Sequence, residues 1–144
     1  MTASPTLRVN RWFVAACVLM LLTATAHSLG HFSPIPTDPA TKALLAAMRG
    51  YTMDLGMGMK PSQWDVFNAL SLTMTVSLAW LGCLGLLVAY SDMGRRTVQR
   101  TIIIFILGNG LLAGLYLFYR IPPPFVSLGT IEAVLLVAAL RAPR

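Results

Sequence analysis

A chain of 144 residues with 56% hydrophobic and 11% charged side chains cannot clothe a soluble surface, which needs roughly a quarter of its residues charged. Mean hydropathy of +0.70 points to the bilayer, and the length suits a single integral membrane domain. The net charge of +6 does not signal nucleic acid, because the arginines flank apolar runs instead of forming a basic face.

Residues 1–11 form a polar arm carrying Arg8 and Arg11. The apolar run from Trp12 to about Gly30 is long enough to span a membrane as a helix. Ala24-Thr-Ala26 also resembles a signal-peptidase site, but the run continues past it, which favours a retained helix. Pro34, Pro36 and Pro39 then end regular structure. Thr37 or Asp38 can cap a short helix from Pro39 to about Arg49, stopped by Gly50. Leu44, Leu45 and Met48 give that helix one apolar side, suited to the membrane surface. Met53, Met57 and Met59 follow among glycines, completing an outer loop over 31–64.

A second span is expected over 65–90, opened by Trp64 and closed by Tyr90 as interface aromatics. A turn at 91–96, flanked by Arg95, Arg96 and Arg100, leads to a third span over 101–119. Arg120-Ile-Pro-Pro-Pro124 reads as a hard stop before a fourth span over 124–140. The fold class is therefore all-α, a polytopic four-helix bundle with a short amphipathic helix in the outer loop. Arg8, Arg11, Arg95, Arg96, Arg100, Arg141 and Arg144 fall on one side, and Lys42, Arg49, Lys60 and Arg120 on the other. The excess places both termini in the cytoplasm, in a bacterial cytoplasmic membrane. Cys17 and Cys83 lie within apolar runs with no second cysteine beside them, as small hydrophobes do.

Helical spacing assigns each span an inward face. Ala16, Met20, Thr23, His27 and His31 share one on the first span, and Asn68, Ser71, Thr75, Ala79 and Gly82 one on the second. The third offers Asn109, Ala113, Tyr116 and Arg120, and the fourth Gly129, Glu132 and Ala133. Most of this pattern is how membrane helices pack through small and polar residues. The histidines and Glu132 exceed it, because an ionisable group at mid-bilayer is costly. They define an outward-facing pocket for a small or lipophilic ligand: His27, His31, Asn68, Tyr116 and Glu132, supported by Trp64, Ser71, Asn109 and Arg120.

Two alternatives stand beside it. His27 and His31 with Met57 and Met59 have the imidazole and thioether character of a copper site, although no cysteine, third histidine or carboxylate completes a metal motif. Gly110 and Gly114, a G-x-x-x-G on the third span, could seat a second copy or another membrane subunit. No hydrolase elbow, P-loop, dinucleotide fingerprint or H-E-x-x-H occurs, and the cofactor, if any, is left open.

The order of His27, Asp38-Pro39, Met48 and Trp64-Asp-Val-Phe67-Asn68 resembles a family of small bacterial four-helix membrane proteins of unassigned function. The resemblance covers about residues 25–75 and groups His27, Trp64, Phe67 and Asn68 as one neighbourhood. Members of that family often continue with a Ser–His pair after the Asn; here Ala69, Leu70, Ser71 and Leu72 follow. A role resting on that histidine does not carry over, and the resemblance implies topology but no reaction.

Overall fold

The computed structural model describes residues 9–141. Five helices account for almost all of it: α1 (Arg11–His31), α2 (Pro39–Gly50), α3 (Gln63–Tyr90), α4 (Arg95–Phe118) and α5 (Pro122–Leu140). No strand forms among the described residues; an isolated bridge joins Thr52 and Ser62. All but α2 are long and apolar enough to cross a membrane.

The helix ends follow from side chains that satisfy free backbone groups. Asn10 opens α1, its Oδ1 accepting from the N–H groups of Trp12 and Phe13 at 3.1 and 3.2 Å. Asp38 caps α2 as expected, accepting from the Thr41 N–H at 2.9 Å with Pro39 in the first turn. The carboxyl of Asp38 is held below the usual carboxylate range, first by the Thr41 hydroxyl and then by its N–H. Ser62 and Asp65 form a reciprocal capping box on α3, at 2.9 Å from Ser62 N to Oδ2 and 3.2 Å from Asp65 N to Oγ.

Two boundaries differ from the hydropathy reading. α4 starts at Arg95, well before Thr101, because a helix continues through polar residues until something breaks it. Gly94 is the last such break, and Arg95 to Arg100 contain neither glycine nor proline. The prolines after Ile121 form the first turn of α5 instead of a stop before it. Their missing N–H groups are ones that a first turn leaves unpaired anyway. Arg120 makes the reversal between α4 and α5 with a left-handed φ of 57°.

The chain divides into two compact units, one of Met1–Thr23 with Leu78–Arg144, the other Ala24–Ser77. In the first, α4 packs along α5. Phe13, Met20, Ile102, Leu128, Ile131 and Leu135 are fully buried, and Phe13 meets Phe105 edge-on at 5.6 Å. The early part of α1 lies against α3 where Gly85 leaves room for the Cys17 sulfur, which a Cβ at that position would strike. Close approach, not backbone freedom, is what this glycine supplies. Both cysteines are free thiols, Cys17 buried and Cys83 exposed.

In the second unit, α2 has no buried residue. Arg49 lies over the Trp64 ring at 5.6 Å, and Trp64 stacks on Phe67 at 5.8 Å. Residues 51–62 fold back as a tight hairpin, with Met53 N donating to Pro61 O at 2.9 Å and Leu55 N to Met59 O at 3.1 Å. Gly56, Met57 and Gly58 turn its tip with φ of 81°, 50° and 78°.

Candidate functional site

The polar residues on the long helices gather into two clusters, one in each unit. In the second unit, His27 Nδ1 lies 2.9 Å from Thr75 Oγ1, and His31 Nδ1 lies 3.0 Å from Ser71 Oγ. The histidines are four residues apart on α1 and the hydroxyls four apart on α3, so each pair is one rung of a ladder between antiparallel helices. All four residues are half-buried.

Both rungs use Nδ1, which orients each ring and presents Nε2 as its remaining nitrogen. The Thr75 hydroxyl also reaches the Ser71 carbonyl at 3.4 Å. When its proton points there, Thr75 accepts from His27 Nδ1–H, and the neutral ring carries its lone pair on Nε2. Such a nitrogen can accept a hydrogen bond from a ligand or bind a soft metal ion.

The register explains which expected neighbours meet. Thr75, and not Asn68, lies at the level of His27; Asn68 is seven residues away, roughly 10 Å along the helix. Asn68 is half-buried two turns further on, next to Phe67, which with Trp64 forms the stacked aromatic pair. Thr75 was legible only as a member of the inward face; its matched i, i+4 spacing with Ser71 is the signal that the histidines would find it.

The second cluster belongs to the first unit. Asn109 on α4 is buried, 5% exposed. Its Nδ2 donates to Glu132 Oε2 at 2.9 Å and to the Leu128 carbonyl at 2.9 Å. Glu132 is half-buried and lies against Gly110, where a Cβ would approach Oε1 to 3.4 Å. The first glycine of the G-x-x-x-G therefore accommodates a carboxyl group within the chain, while Gly114 has open space around it. Tyr116 is half-buried on the same helix, and Arg120 is exposed at its end.

Met57, 92% exposed, and Met59, 50% exposed, stand at the hairpin tip. Among the described residues no three His, Cys, Asp or Glu side chains group closely enough to hold a metal ion. No protein-family model, curated protein or solved structure matches the chain.

Proposed function

We propose that this chain is a small inner-membrane protein, with both termini cytoplasmic, whose outward-facing histidine ladder holds a small or lipophilic ligand. The observation that carries the reading is the pair of Nδ1–hydroxyl hydrogen bonds. They hold two imidazoles one turn apart before any ligand arrives, which lowers the ordering cost of binding. Two imidazole nitrogens at that spacing suit a partner with two polar atoms and an apolar body, such as a quinone or a lipid headgroup region. Four apolar helices and the arginine distribution support the membrane placement.

The test is purification of the full chain in lipid nanodiscs, followed by extraction and mass spectrometry of what it retains. One lipophilic species near one per chain, lost in H27Q/H31Q, is the expected result. The same lipid profile in wild type and double variant would overturn it. A second membrane protein retained by both forms would favour a partner-binding subunit. Copper retained by wild type and lost in H31A would favour the metal reading, in which His27, His31, Met57 and Met59 supply nitrogen and sulfur.

A further inference from the structure

We propose that the Asn109–Glu132 pair is a proton-binding site, at which Glu132 exchanges a proton with the aqueous phase and Asn109 positions its carboxyl group. This rests on the first unit and on the membrane placement proposed above, and is independent of the histidine ladder.

Three observations converge on it. The first is an imbalance of donors and acceptors. Asn109 Oδ1 is buried and has no hydrogen-bond partner, while both protons of its amide are committed to Leu128 O and Glu132 Oε2. The amide thus spends its donors on a carboxyl oxygen and a backbone carbonyl, while its own buried oxygen has none. A proton on Glu132 converts one acceptor into a donor and reduces that imbalance.

The second is the absence of a compensating charge. Glu132 has no ion-pair partner among the described residues. It is the only ionisable residue in α5, and α4 has none between Arg100 and Tyr116. This unit's parts of α1 and α3 add Arg11, Cys17, Cys83 and Tyr90, of which only Arg11 carries a fixed positive charge. Arg11 lies at the start of α1.

The third is depth. Glu132 lies ten residues beyond Pro122 and Asn109 nine before Phe118, so both stand roughly 14 Å from the α4–α5 reversal. An ionised carboxylate at such a level in hydrocarbon needs a partner or a proton. Gly110 makes room for the carboxyl against the α4 backbone at this same level. A helix pair built only for packing gains nothing from leaving an amide oxygen unsatisfied there.

The test uses the full chain in nanodiscs and N,N′-dicyclohexylcarbodiimide, an apolar reagent that reacts with protonated carboxyl groups. The acid proton moves to a carbodiimide nitrogen as the carboxyl oxygen adds to its carbon, and acyl migration leaves a stable N-acylurea found by peptide mass spectrometry. The expected adduct is on Glu132, is absent from E132Q, and falls roughly tenfold per pH unit on the alkaline side of its midpoint. No adduct on Glu132 of the wild-type chain at any pH would overturn the proposal, as would labelling independent of pH. Protection by sodium at constant pH would also overturn it, in favour of a sodium site. The wild-type profile decides the matter even if a variant fails to fold.

Discussion

The two units hold their polar groups in opposite ways. In the second, each imidazole meets a hydroxyl, a pairing in which either partner can donate. In the first, a carboxyl group meets one amide whose donors are exhausted and whose oxygen is left over. The ladder joins the helices through Nδ1, leaving Nε2 as each ring's second nitrogen. The amide–acid pair is unbalanced within the protein itself. A helix contact can therefore be polar because it holds something steady, or polar because it waits for something to arrive.

The packing around the pairs sets the largest expected effect. Gly85→Leu drives a side chain into Cys17 and the Phe105 ring, and overpacking of that kind costs about 3 kcal/mol. Unfolding in mixed micelles should show it, and a loss below about 1 kcal/mol would mean that α1 and α3 are free to separate there. Next comes Asn109→Ala, which leaves Glu132 without its donor and should cost about 1–3 kcal/mol. Thr75→Ala and Ser71→Ala remove only hydroxyl–imidazole bonds, of a kind worth about 0.6 kcal/mol each between helices in a membrane. If the hydroxyl variants cost as much as N109A, the contrast between the units fails.

The smallest effect is local to α2. Because hydrogen bonds from Thr41 lower the Asp38 carboxyl below its ordinary range, the cap is present above the ordinary carboxylate value. It is lost as the pH falls through the lowered one. Hydrogen exchange at the Thr41 N–H should quicken relative to its intrinsic rate in that acid window in wild type. In D38N, whose amide does not titrate there, the relative rate should stay flat.

What the sequence makes legible is long-range composition and short-range chemistry. The four apolar runs and the Asp38-Pro39 helix start are read from residue type and spacing, and so is much of the inward face of α1 and α4, where Ala16, Met20, Asn109 and Ala113 are buried. On α5 the expected face of Gly129, Glu132 and Ala133 gives way to Leu128, Ile131, Leu135 and Ala138, with Ala133 exposed, because bulky apolar side chains fill the contact with α4. The start of α4 is hidden because hydropathy reports which residues suit lipid, whereas helical hydrogen bonding continues through Arg95–Arg100 regardless. The prolines of α5 mislead because their effect depends on position within a turn. Most of all, register is invisible. Whether His27 meets Thr75 or Asn68 depends on how far one antiparallel helix slides past another, and a slide of one or two turns keeps the same face inward. Glu132 and Asn109 escaped that ambiguity because the tight reversal after Phe118 leaves little freedom to slide.

Asn10 does more than start a helix. While its oxygen caps α1, its Nδ2 donates to the Ala138 carbonyl at 2.9 Å near the end of α5, and Arg141 lies over the Trp12 ring at 5.6 Å. During synthesis the first helix must therefore wait for the last to be released from the ribosome before these contacts can close. A nascent chain arrested before Ala138 would lack the carbonyl that Asn10 Nδ2 reaches, leaving the packing of α1 on Gly82 and Gly85 of α3 to hold the first helix.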